Sequence, residues 1–118
     1  MHNYKELNVW KKSIKLAVKV YKLSQKFPSD ERFGLTSQIK RCAVSVPSNI
    51  AEGAGRRTNG EFVNFLGISH GSICELETQL YIGFELEYFG ADQLEEISLE
   101  VTEIQKMLYS LIIKFENK

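Results

Sequence analysis

Five lysines, Lys11, Lys15, Lys19, Lys22 and Lys26, step by four, four, three and four residues near the start of the chain. That spacing lines them on one face of a helix, because residues three and four apart are neighbours on a helical surface. A stripe of about four turns offers ammonium groups to successive phosphates and would bind nucleic acid by counterion release, without reading sequence. Lys40, Arg41, Arg56 and Arg57 extend the stripe if folding brings them together. The competing reading is ordinary charge pairing: Glu85, Glu87, Glu95, Glu96, Glu100 and Glu103 are available within a subunit or across an interface. Helical proteins commonly set lysines opposite their core.

The remaining constellations point away from catalysis. Ser45, Asn49 and Glu52 step by four and three, and Ser69, Ser72 and Glu75 by three and three, on helix faces otherwise apolar. Ser45, Asn49, Glu52 and Ser72 read as a hydrogen-bonded polar network that holds helix register, since buried polar groups need partners. A serine nucleophile wants a base in contact, and the two histidines are His2, expected in a frayed terminus, and His70, expected as a half-buried packing residue. His70 and Cys74 lie four apart with Cys42 as a third ligand in reach of imagination only: no paired CxxC or HExxH accompanies them, and zinc wants a fourth ligand. No Glu-x-x-His, the signature of a di-iron bundle, occurs. Gly53-Ala54-Gly55 lacks the preceding strand and lysine-threonine ending of a phosphate loop. The expectation is therefore a protein that is not an enzyme, with no catalytic residues, no metal and no cofactor.

The elements that would position these residues are helical. The chain has 118 residues, 43% hydrophobic and 25% charged, with eight Gly and two Pro, which suits one domain over 1–118. Leu7, Trp10, Ile14, Ala17 and Tyr21 step as the seam of a first helix ending near Phe27-Pro28. Ser29 or Asp30 would cap a second, whose stripe Leu35, Ile39, Cys42, Val46 and Ile50 runs to Gly53 with Pro47 inside it. Thr58 and Glu61 form a capping box for a third, with seam Phe62, Leu66, Ser69, Ile73, Leu76, Leu80 and Gly83, ending near Gly90 in a left-handed cap. Asp92 and Glu95 would cap the fourth, whose seam Leu94, Ile97, Val101, Ile104, Leu108, Leu111, Phe115 keeps heptad spacing. Short connections between such helices predict an all-α, up-down-up-down antiparallel four-helix bundle. Leu16, Val20, Leu23, Phe65, Ile68, Ile112 and Ile113 lie off these seams and are expected to form an oligomer surface.

Charge is sorted along the chain. Fifteen basic and fifteen acidic residues cancel overall, yet residues 1–59 hold twelve basic against four acidic residues, a net +8, which leaves the second half at −8. No apolar stretch approaches the roughly 20 residues of a membrane span, and the N-terminus lacks the apolar segment and small-residue cleavage site of a signal peptide. Two cysteines, Cys42 and Cys74, make no disulfide framework and read as small buried residues in a reducing compartment. A cytoplasmic protein with no membrane partner is expected.

The run Leu35-Thr-Ser-Gln-Ile-Lys-Arg-Cys-Ala-Val-Ser-Val-Pro-Ser-Asn-Ile-Ala-Glu-Gly53, with Arg56, Glu61-Phe62, Gly71-Ser72 and Glu75-Leu76, resembles the bacterial four-helix-bundle family named after 23S rRNA intervening sequences. The likeness begins at Leu7-Asn-Val-Trp10, passes through Phe27-Pro28 and closes with the fourth-helix heptads. It extends to the accessory variability protein of diversity-generating retroelements, which works beside a reverse transcriptase. The resemblance implies a homopentameric ring with a basic surface, a nucleic-acid partner with RNA favoured over DNA, or a protein partner such as a reverse transcriptase. It covers Gln38, Arg41, Ser45, Asn49, Glu52, Gly53 and Arg56, and supplies a catalytic role for none of them. Cys42 stands where the family pattern has a small residue, usually alanine.

Overall fold

The helices begin and end where local chemistry can satisfy their terminal backbone groups. In the computed structural model, which describes residues 1–117, they are α1 (Asn8–Ser24), α2 (Leu35–Ala54), α3 (Asn59–Glu85) and α4 (Ala91–Glu116). Lys118, the last residue of the expected domain, lies outside the described residues. Each helix packs on its sequence neighbours and α4 closes on α1, giving an antiparallel four-helix bundle of 45 × 25 × 20 Å with no strand among the described residues.

Thr58 caps α3 as its spacing predicts, its Oγ1 accepting from the Glu61 N–H at 3.1 Å. Three other termini differ from expectation. α2 starts at Leu35 rather than after Ser29 or Asp30, which both lie within a short 3-10 turn, Ser29–Glu31. Glu31 reaches forward instead, its Oε1 accepting from the Leu35 N–H at 3.2 Å while its Oε2 accepts from the Tyr88 hydroxyl at 2.6 Å. Both bonds hold the Glu31 carboxyl below its ordinary range, the Tyr88 bond most strongly. α3 ends at Glu85, and Glu87, not Gly90, takes the left-handed conformation with φ 64°. Gly90 is extended and opens α4, its N–H bonded to Gln93 Oε1 at 3.1 Å, so Asp92 and Glu95 are not the cap.

The core follows the expected stripes in three helices. Every residue of the α3 seam, from Phe62 to Gly83, is buried, as are Ile39, Cys42, Val46 and Ile50 of α2 and Ile97, Val101, Ile104 and Leu108 of α4. A fully buried aliphatic side chain contributes about 2 kcal/mol. Pro47 is accommodated without breaking α2.

α1 is the exception. Its buried face is Val9, Ser13, Leu16, Val20, Leu23 and Ser24, not the Leu7-Trp10-Ile14-Ala17-Tyr21 seam, and Leu16, Val20 and Leu23 are core rather than oligomer surface. Ser13 and Ser24 are satisfied within the helix, donating to Val9 O at 2.6 Å and Tyr21 O at 2.8 Å. At about 100° per residue α1 has three faces: this core face, an adjacent apolar face with Trp10, Ile14, Val18 and Tyr21, and the lysine face. The second face is exposed, Ile14 by 39% and Val18 by 49%. With Val44, Pro47 and Ala51 of α2 and Tyr4 it lines an apolar groove of about 680 Å³.

The N-terminus is docked rather than frayed. The His2 N–H donates to Ala54 O at 2.7 Å, and its ring lies 4.6 Å from that of Phe62 and 4.7 Å from that of Phe115.

Candidate nucleic-acid interface

The lysine face of α1 divides according to how close each side chain comes to α4. Lys19, half-buried, reaches Glu96 Oε1 at 2.8 Å and Glu100 Oε2 at 2.5 Å, and Lys12 reaches Glu103 at 2.9 Å. These two project toward the acidic edge of α4, so pairing rather than phosphate contact describes Lys19. Lys11, Lys15, Lys22 and Lys26 are exposed, and no salt bridge involves them among the described residues.

The Lys19 clasp has a pH signature. Hydrogen bonds donated to Glu100 and then to Glu96 raise the Lys19 ammonium above its ordinary 10.5, and the bond accepted from Lys19 lowers Glu96 below its ordinary 4.5. A depressed carboxylate stabilises the fold above its unfolded value and loses that contribution as pH falls through the folded one; a raised amine stabilises below its unfolded value and loses it as pH rises through the folded one. The clasp is therefore complete between about pH 4.5 and 10.5. Lys19→Met is expected to shrink the difference in urea midpoint between pH 7 and pH 3. An unchanged difference would show that the clasp does not contribute.

The other predicted cations are spread over α2 and the loop that follows it. Lys40 lies on α2 with its Nζ 5.1 Å above the Tyr21 ring, and Arg41 is exposed beside it. Arg56, in the loop between α2 and α3, stacks 4.8 Å over Phe65 and pairs with Glu52 at 3.6 Å and Glu61 at 3.7 Å. Arg57 is exposed in the same loop, at the opposite end of α2 from Leu35.

Three of the four predicted network residues meet across α2 and α3. Ser45 Oγ lies 2.8 Å from Ser72 Oγ, and Asn49 Nδ2 donates to Ser45 O at 2.8 Å and Ser45 Oγ at 2.9 Å. Glu52 is the correction: it is exposed and pairs with Arg56, because its position on α2 faces the loop rather than α3. Ser69 joins instead, donating to Val46 O at 2.8 Å just before Pro47.

Cys42 Sγ lies 3.0 Å from Glu75 Oε1, and burial together with that carboxylate pushes the thiol up to about 11. A thiol held protonated is a poor nucleophile and a poor metal ligand. Cys74 is exposed, not buried, because it lies on the outer face of α3, 3.9 Å from His70 Nδ1. Among the described residues no three His, Cys, Asp or Glu side chains are placed to hold a metal ion. No helix among them is long and apolar enough to cross a membrane.

Arg32 and Phe33 are the surface residues that periodicity passes over, since they lie in the connection between α1 and α2. The Arg32 guanidinium sits 5.3 Å from the centroid of the Phe33 ring.

Comparison with known proteins is consistent with this architecture. A crystal structure from Bacteroides thetaiotaomicron VPI-5482, described as a protein with unknown function from the S23 ribosomal protein family, superposes with a TM-score of 0.81. The two are 31% identical, over 88% of this chain and 94% of that one. No curated protein matches the chain. The profile of the 23S rRNA-intervening sequence proteins matches residues 5–110, from the turn before α1 to the last turns of α4. With nearly the whole bundle covered, the chain belongs to the 23S rRNA-intervening sequence protein family.

Proposed function

We propose that this protein is a non-enzymatic, self-associating module that binds nucleic acid, RNA in preference to DNA, through the basic surface of α1 and α2. The observation that carries the reading is the exposure of Lys11, Lys15 and Lys22 on α1, and of Lys26 in the turn that follows it, without ion pairs, although Lys12 and Lys19 of the same helix do take acidic partners. Unpaired cations in a row can replace the counterions condensed on a polyanion, and the release of those counterions is the thermodynamic source of phosphate binding.

Self-association draws on other faces of the bundle. The α1–α2 half of the bundle is basic and carries the apolar groove, while the α3–α4 half is acidic and exposes Ile68, Leu99, Tyr109 and Ile113. Contact between unlike halves of successive copies is heterologous, and a heterologous contact that closes makes a ring. A pentamer is the proposed ring, in the cytoplasm. Repeating the exposed lysines around it would multiply phosphate contacts on one assembly.

Fluorescence anisotropy with a labelled RNA hairpin, titrated from about 50 to 200 mM salt, tests the reading. Affinity is expected to fall steeply with salt, and Lys15→Gln/Lys22→Gln to make the log–log slope shallower by roughly 1.4 to 1.8, one phosphate contact per lysine. Binding that is absent at low salt would refute the nucleic-acid role. The groove then favours a second reading, an oligomeric scaffold that docks a protein such as a reverse transcriptase.

A further inference from the structure

The exposed lysines of α1 explain attraction to phosphate and leave one feature of the surface without a role. Phe33 is 88% exposed, more than any other large hydrophobic residue among those described. It stands on the rim of a depression of about 520 Å³ at the start of α2, bordered also by Tyr21, Arg32, Thr36, Lys40 and Arg41. Three of the residues around this depression are basic and none is acidic.

Its geometry sets aromatic rings beside cations. Arg32 lies over Phe33 and Lys40 over Tyr21, at 5.3 and 5.1 Å from the ring centroids. Each aromatic ring is thus paired with a cation, an arrangement that favours a planar, electron-rich, anionic ligand. Thr36 Oγ1 is buried here without a hydrogen-bond partner. The first turn of α2 adds the positive end of the helix dipole. Glu31, the acid nearest that turn, has one oxygen on the Leu35 N–H and the other on the Tyr88 hydroxyl.

We propose that this depression is a nucleotide-sized subsite for single-stranded nucleic acid, in which an unstacked base lies on Phe33 and the adjoining phosphates meet Arg32, Lys40 and Arg41. The inference rests on the nucleic-acid role proposed above and specifies the strand state it selects. Aromatic platforms beside cations recognise single strands because every base has a π-face to stack, whereas bases in a duplex are already stacked. A protein partner fits less well: an acidic peptide would satisfy the cations but leave the exposed ring and the flat Arg32–Phe33 pair without a planar partner.

The test is anisotropy with two labelled probes, a deca-uridine strand and a short RNA duplex, using the full chain. Phe33→Ala is expected to weaken deca-uridine binding about 5- to 160-fold, the range for losing one base stack, and to leave duplex affinity and the salt slope unchanged. Phe33→Trp should restore single-strand binding. Because Phe33 is exposed and outside the apolar groove, light scattering and the thermal midpoint of both variants should match the parent. Equal affinity of parent and Phe33→Ala for deca-uridine, with binding still lost on changing Lys15 and Lys22, would overturn the subsite and leave the broader role standing. Failure of the parent to bind either probe would overturn both. Binding of an acidic peptide that Phe33→Ala abolishes, with no effect on deca-uridine, would assign the depression to a protein partner and refute the proposal.

Discussion

Gly53→Val is expected to destabilise the protein by about 3 kcal/mol, the upper end of the usual overpacking penalty, and to lower its thermal midpoint by roughly 10–20 °C. A Cβ at Gly53 would stand 2.6 Å from Phe65 Cβ, and 3.2 Å from both Phe62 Cδ1 and Phe62 O. Phe65 Cβ is fixed to the α3 backbone and cannot swing aside, so α2 and α3 must separate. Separation would also stretch the Ser45–Ser72 and Ser69–Val46 hydrogen bonds that cross the same interface. Gly71→Ala is the control. It is exposed on α3 with nothing within 4 Å of a Cβ, and replacing a helical glycine there should stabilise by roughly 0.5–1 kcal/mol. Thermal and urea unfolding of the two variants measure the contrast; a Gly53→Val midpoint equal to the parent's would show that this glycine does not set the helix spacing.

Aspartate at two neighbouring α1 positions is expected to separate folding from assembly. Leu16 is 1% exposed, and Leu16→Asp buries an unpaired carboxylate, at about 3–5 kcal/mol or more, a large part of the stability of a small domain. Its far-ultraviolet circular dichroism should show a largely unfolded chain. Ile14 is 39% exposed in the apolar groove, so Ile14→Asp should keep the helical spectrum. If the groove is where copies meet, that variant loses a central apolar contact and association weakens about 30-fold or more, the scale of an interface hot spot of about 2 kcal/mol. Light scattering across a dilution series reads this directly. An Ile14→Asp assembly that matches the parent's mass at every dilution would remove the groove from the subunit contact.

The difference between these two positions is also where sequence reading and folded structure part. In α3 and α4 the most regular apolar stripe is the one that is buried, and all seven α3 seam positions are in the core, although Ile68, Leu99 and Tyr109 stay exposed off the seams. Amphipathic spacing identifies the core there, because the off-seam apolar residues form no second continuous stripe beside it. α1 carries two apolar stripes side by side. With about 100° per residue, the lysine face lies opposite the boundary between them, so charge opposes both about equally. The stripe through Trp10, Ile14 and Tyr21 is more apolar, while the true core stripe contains Ser13 and Ser24, whose hydroxyls are satisfied by α1's own carbonyls. Periodicity cannot register that satisfaction.

The candidate interface divides in the same way. The existence of a lysine row follows from three- and four-residue spacing on a helix. Which lysines remain open to a ligand does not, because pairing depends on how far α1 is rotated against α4, and that rotation is set by burial of Leu16 and Val20 against the core. Glu52 and Ser69 exchange roles for a related reason: among the polar residues of α2 and α3, the approach of the two helices selects which side chain is enclosed. The Arg32–Phe33 pair lies in a connection with no period to read. Local spacing determined the four helices, three of their buried faces and the Thr58 cap. Rotation and separation of packed helices decided the α1 core, the partners of the charges and the shape of the surface, since those depend on neighbours distant in sequence.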